Sequence, residues 1–190
     1  GRPGRGRPGR IGRLRPGGFG VRGTEGKIDC IRYARENRVP YLGLCLGFQM
    51  AVIEYARNVC GIPDANSTEF DKGCKNPVID ILPEQKQIEG LGGNMRLGGK
   101  DVDIKPGTLS ARLFDNAERI RLRFRHRYEV DPRYVDILEK HGMIFSGKAP
   151  GYPIMQILEL PQDVHPYFIG TQAHPELTSR PLRPQPFFLG

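Results

Sequence analysis

VPYLGLCLGFQMAVIEYARN, residues 39–58, is where the architecture shows itself first. The apolar run at residues 39–44 reads as a short buried strand, and residues 48–58 read as a helix. Between them, Gly43-Leu44-Cys45-Leu46-Gly47 has the G-x-[nucleophile]-x-G form of an elbow joining a strand to a helix. Glycine is needed two positions either side of the central residue, because a side chain there would collide with neighbouring backbone in so sharp a turn. Such a turn places Cys45 at a helix start, whose partial positive charge favours a thiolate. The alternative for the pentapeptide alone is a buried Cys beside strand-end glycines.

Outward from the elbow the texture stays that of an α/β protein. Residues 24–37 read as a helix with Ile28, Ile31 and Ala34 on one face, and residues 16–20, PGGFG, as a tight glycine-dense loop. Downstream lie a short apolar run at residues 78–82, a helix at 132–141, and two strands at 154–160 and 167–172. A thiolate needs a base held by a third group. His174-Pro175-Glu176, directly after the last apolar strand, supplies both residue types. Proline restricts the backbone of His174, and Glu176 is suited to accept the imidazole N–H, as the acid of a Ser/His/Asp arrangement does. An oxyanion site requires donors aimed at the developing charge. The N–H of Leu46 is one candidate, and the glycine loop at 16–20 offers the other.

Composition narrows the class. The chain has 190 residues, 38% hydrophobic and 26% charged, which suits one globular domain. No apolar run approaches bilayer length and no signal-peptide pattern opens the chain, so no membrane partner and a cytoplasmic location are expected. The four cysteines, Cys30, Cys45, Cys60 and Cys74, lack paired spacing and are read as free thiols; Cys30, Cys60 and Cys74 are expected to serve packing or surface roles. Without CxxC, HxxxH or HExxH, no metal site is expected. The net charge is +8, but residues 1–15, GRPGRGRPGRIGRLR, hold six Arg and no acid. The rest carries +2. Residues 1–15 are read as a low-complexity tail, disordered in solution. Arg5-Gly6-Arg7-Pro8 resembles an AT-hook core, which makes a weak, salt-dependent DNA-binding module the rival to an enzyme, with nucleic acid not the expected main partner.

Further stretches carry a family resemblance. PGGFGVRGTEGK (16–27), the elbow segment, ANSTEFD (65–71), GGNMRLG (92–98), RHRYEV (125–130) and QAHPELTSRPLRP (172–184) together resemble the class I glutamine amidotransferase domain of the CTP synthase family, nearly continuously from residue 16 to 190. The elbow and HPE are shared by all class I amidotransferases. The other blocks are narrower and disfavour an amidotransferase of GMP synthesis, while the intact Cys45, His174 and Glu176 argue against a non-catalytic relative. The resemblance implies an α/β, flavodoxin-like sheet flanked by helices, N-terminally truncated and occupying residues 16–190. It implies Cys45 as nucleophile, His174 as proton carrier and Glu176 as its orienting acid, with Gly18 and Leu46 as the oxyanion donors. Glutamine would be held by Phe19, Gln49, Glu69, Arg127 and Tyr128, a set with an acid for the ammonium and an Arg for the carboxylate. It further implies L-glutamine as substrate and a separate synthetase domain that aminates UTP at the expense of ATP with Mg2+. Stimulation by GTP and a homotetrameric complete enzyme belong to the same implication.

The sequence also departs from the family. The synthetase part and the opening strands of the amidotransferase domain are not in this sequence. Where the family has an apolar strand before PGGFG, residues 11–15 read IGRLR. Two arginines in a central strand would be costly to bury, so this run is not expected to stand in for that strand. Leu122 and Phe124 occupy positions where Glu and His are usual, and Lys148 and Tyr152 sit in a usually more polar loop.

Overall fold

A strand feeding directly into a largely buried helix forms the centre of the computed structural model, which describes residues 13–15 (as backbone), 23–81 and 96–190. Strand β2 (Tyr41–Leu44) is buried along its whole length and leads through Cys45 into helix α2 (Leu46–Asn58), in which every residue from Leu46 to Ala56 is buried. A helix apolar on all sides belongs inside a domain. Its one buried acid, Glu54, takes a bidentate grip from Arg35 of helix α1 (Thr24–Glu36) at 2.8 and 2.9 Å. Helix α1 presents Ile28, Ile31 and Ala34 to the core, the face expected from their spacing.

The main sheet has seven strands in the order β1-β2-β10-β9-β8-β5-β6. Here β1 is Arg13–Arg15, β5 Arg96–Ile104, β6 Arg119–His126, β8 Ile144–Lys148, β9 Met155–Glu159 and β10 Phe168–Thr171. The pairs β1–β2 and β2–β10 are parallel, and every other neighbouring pair in this sheet is antiparallel. A smaller sheet joins β3 (Ala65–Ser67), β4 (Asn76–Asp80) and β7 (Glu129–Val130). Short helices α3 (Leu109–Leu113) and α4 (Val135–Lys140) complete the elements, with 3-10 turns at Pro132–Tyr134, Pro175–Leu177 and Pro186–Phe188.

Period-2 alternation divides the core between the two faces of the main sheet. Tyr41, Leu158 and Phe168 join the α1–α2 core, whereas Leu42, Leu44, Ile157 and Ile169 join Leu122, Phe124 and Phe187 on the other side. Leu122 and Phe124 are 2% and 3% exposed, so apolar side chains fit these family-divergent positions.

Three expectations are corrected. Residues 13–15 do pair with β2, in register Arg13↔Tyr41, Leu14↔Leu42 and Arg15↔Gly43. The expectation assumed a central strand, whereas β1 is the outermost described strand of its sheet. The helix foreseen at 132–141 is a 3-10 turn running into the short α4. The apolar run at 78–82 belongs to β4, which starts earlier and ends at Asp80; Leu82 lies outside the described residues.

Candidate active site

One residue, Cys45, makes the whole turn between β2 and α2. Its backbone stands at φ 49°, ψ −101°, a region that costs a non-glycine residue about 1–3 kcal/mol. Neighbours on both sides hold it there. Cys45 N–H donates to the Thr171 carbonyl (2.8 Å), Gln49 N–H donates to the Cys45 carbonyl (3.2 Å), and the Tyr41 hydroxyl donates to the Gly47 carbonyl (2.8 Å). A Cβ on Gly43 would stand 2.6 Å from the Tyr41 hydroxyl oxygen and 2.8 Å from the Gly47 carbonyl carbon. The glycine spacing is thus a matter of space at Gly43.

Strand β10 runs parallel to β2 with Thr171 opposite Leu44, so the chain leaving β10 passes beside Cys45. His174 follows three residues later. Its N–H donates to the Arg123 carbonyl of β6 (2.8 Å), and its Nδ1 lies 2.6 Å from Oε1 of Glu176. A carboxylate only accepts, so Nδ1–H donates to Glu176; in the neutral ring Nε2 presents a lone pair. That Nε2 is buried and has no hydrogen-bond partner; Cys45 Sγ is not bonded to it.

The other foreseen residues that are described come from separate elements. Glu69 sits in the loop after β3, its N–H bonded to Ser67 Oγ at 3.1 Å. Arg127 and Tyr128 form the link between β6 and β7, Arg127 exposed and Tyr128 half-buried. Gln49, one turn into α2, is 3% exposed and donates through Nε2 to the Tyr128 carbonyl (3.0 Å). Burial, then the charge of Glu69, raises the Tyr128 hydroxyl pKa, while Arg127 draws it down. Leu46 donates its N–H toward the Cys45 sulfur. Gly18 and Phe19 lie outside the described residues.

Electrostatics at the sulfur run against the simple helix-start argument. Burial pushes the Cys45 thiol up to about 12, and the carboxylates of Glu176 and Glu69 add to that; the Leu46 N–H and the Gln172 amide pull the other way. Cys45 rests as a neutral thiol, because loss of hydration outweighs a helix terminus worth about 0.3–1 kcal/mol.

Gln172 is the site residue that motif reading passes over. It is wholly buried, and its Nε2 stands 3.5 Å from Cys45 Sγ while its Oε1 accepts from Gln49 Nε2 at 3.0 Å. Its place two residues before His174 was the available signal. All four cysteines are free. Among the described residues no group of three or more His, Cys, Asp or Glu could hold a metal ion, and no helix is long and apolar enough to cross a membrane.

An elbow cysteine beside a histidine–glutamate pair, on a sheet of this topology, agrees with what comparison with known proteins finds. The chain belongs to the class I glutamine amidotransferase family, whose model matches residues 11–190. Within that family its relatives include CTP synthases. That of Haloarcula hispanica is 60% identical over 175 residues, covering 92% of this chain and 31% of the relative. That of Archaeoglobus fulgidus is 56% identical over 177 residues, covering 93% and 33%. The glutaminase domain of Trypanosoma brucei CTPS, solved with bound acivicin, superposes with a TM-score of 0.85 at 38% identity, over 92% of this chain and 66% of that one. The chain spans about a third of the length of these CTP synthases.

Proposed function

We propose that this chain hydrolyses L-glutamine through Cys45, His174 and Glu176, as the amidotransferase part of a CTP-forming enzyme. The observation that carries the reading is the buried, unpartnered Nε2 of His174, whose Nδ1 is fixed by Glu176 on the chain leaving the strand next to Cys45. A buried base without a partner is placed to take a proton.

Glutamine's α-ammonium against Glu69 would offset one of the two negative charges that hold the thiol neutral. The Cys45 proton then passes to His174 Nε2, and the sulfur bonds to the amide carbon as the carbonyl π pair moves onto oxygen. Leu46 and Gly18 N–H groups would receive that oxyanion. The imidazolium returns its proton to the amide nitrogen, the C–N bond breaks and ammonia leaves. Water, deprotonated by Nε2, attacks the thioester; glutamate departs and the sulfur regains its proton. Arg127 and Tyr128 would face the substrate carboxylate. In a complete enzyme the ammonia would reach a synthetase domain that uses ATP and Mg2+ to activate UTP, with GTP as stimulator and a homotetramer as the assembly; the length of the relatives beyond the matched third supports the presence of a further domain.

Treating the chain with a glutamine-mimicking electrophile and mapping the adduct by peptide mass spectrometry tests the reading. Modification confined to Cys45, blocked by excess glutamine and paralleled by loss of ammonia release in Cys45→Ala, is the expected result. Equal modification of Cys30 and Cys74, or no protection by glutamine, would sink it.

A further inference from the structure

Three amide groups run in a line from the Arg127–Tyr128 link to the sulfur, and the direction of each is fixed by the one before. The Tyr128 carbonyl can only accept, so the Gln49 atom 3.0 Å from it must be the NH2 group. The same nitrogen lies 3.0 Å from Gln172, so the Gln172 atom facing it must be the carbonyl oxygen. The remaining end of Gln172, its NH2, therefore faces Cys45 Sγ at 3.5 Å. Gln49 and Gln172 are 3% and 0% exposed, so water does not compete for these bonds. A backbone carbonyl on a loop thus dictates that the sulfur meets a donor.

We propose that Gln172 is a further catalytic residue, whose amide donates to the Cys45 thiolate and is held in that orientation by Gln49 and the Tyr128 carbonyl. The inference rests on the assignment of Cys45 as nucleophile. The arrangement answers a need of the site. Among the described residues, the charges of Glu176 and Glu69 both disfavour an anion at the sulfur. The proton acceptor His174 becomes cationic only as the thiolate forms. A fixed donor is the neutral means of favouring the anion, since a hydrogen bond to a charged group is stronger than one between neutral groups. The line also ties the nucleophile to the Arg127–Tyr128 link, because a shift of the Tyr128 carbonyl loosens Gln49 and lets the Gln172 amide turn.

The test is alkylation of the 190-residue chain with chloroacetamide between pH 6 and 11, scored at Cys45 by peptide mass spectrometry with Cys74 as internal reference. In Gln172→Leu, Cys45 alkylation at pH 8 is expected to slow about tenfold and its pH profile to move upward, with Cys74 unchanged. Glutamine hydrolysis should lose kcat by a similar factor while KM moves less than about threefold. Gln49→Leu, which leaves Gln172 in place but frees its orientation, should show the same alkylation changes in milder form. Should Gln172→Leu fail to give a cooperative thermal transition, Gln49→Leu decides the question alone. A Cys45 profile in the folded variants that superposes on the parent's would overturn the proposal. If Cys45→Ala kept ammonia release, the glutaminase reading would fall on its own, because alkylation reports on the sulfur whatever the reaction.

Discussion

Gly43 shows how little room one residue can have. A methyl group there would push into the Tyr41 hydroxyl and the Gly47 backbone, and backbone cannot swing aside as a side-chain tip can. Gly43→Ala should lower stability by about 1–3 kcal/mol, the usual range for overpacking, and reduce Cys45 labelling at least tenfold; urea titration and the labelling assay read both. Titratable residues set the pH range of the fold. His165 accepts the Tyr167 N–H at Nδ1 (3.2 Å) and donates from Nε2 to the Ala34 carbonyl (3.1 Å), which requires the neutral ring. Burial, with Arg38 and Arg35 nearby, lowers its pKa below the ordinary 6.5. The unfolded chain therefore binds that proton first, and the stability His165 contributes is present above pH 6.5 and lost as pH falls below it. Cys45 and Cys60 are pushed up to about 12 and about 11 from 9.0, each mainly by burial. Their contribution is complete below pH 9 and lost as pH rises from there toward 11 and 12. Thermal unfolding measured from pH 5 to 10.5 should show a plateau between 6.5 and 9; a midpoint still rising at pH 10 would contradict this.

At the scale of elements, the link from β6 to β7 is where the sheet meets the site. His126, the last residue of β6, and Glu129, the first of β7, are both buried and stand 2.7 Å apart through Nε2 and Oε1. Arg96 Nε lies 2.9 Å from the same oxygen, and Gln156 Nε2 reaches the other at 3.4 Å. This closed pair leaves Arg127 and Tyr128 between its two members. Glu129→Gln keeps the shape but strips Arg96 of its counter-charge, which should lower stability by about 3 kcal/mol. By loosening the link, it should raise KM for glutamine about tenfold while kcat stays within about threefold. Unchanged KM in the folded variant would show that the pair serves the fold alone. The same region explains what could be read from the chain. The β2 elbow, α1 and the last two strands were legible because their apolar residues recur with one period. β6 alternates too, with Arg119, Arg121, Arg123 and Arg125 exposed and Leu122, Phe124 and His126 buried. The acids that Arg119 and Arg121 meet, Asp103 and Asp101, come from β5, whose glycines and charges hide its own period. β3 and β7 are too short for any period. Gln172 escaped notice because its meaning comes from Gln49, 123 positions away, which no local pattern records.

Across the whole molecule, the site stands where two cores and the parallel end of the sheet meet. β2 sends Tyr41 into the helical core and Leu42 and Leu44 into the other, so a disturbance of β2 reaches both cores and Cys45 together. β1 flanks that strand on one side and β10 on the other. If the two or three backbone hydrogen bonds of the β1–β2 pair contribute about 1 kcal/mol each, their loss amounts to about 2 kcal/mol. In a domain of this size that is a drop of roughly 4–8 °C in Tm. Two truncations separate the pairing from the charge of the preceding residues. Removing residues 1–12 takes away four arginines and leaves Arg13–Arg15. Its Tm and its Cys45 labelling rate should match those of the full chain. Removing residues 1–15 also takes β1, and should lower both, because β2 then loses the neighbour that holds Tyr41–Gly43 in register ahead of the elbow. Equal behaviour of the two truncations would mean that β10 and α2 alone hold the elbow, since they supply the Thr171 carbonyl to Cys45 N–H and the Gln49 N–H to its carbonyl.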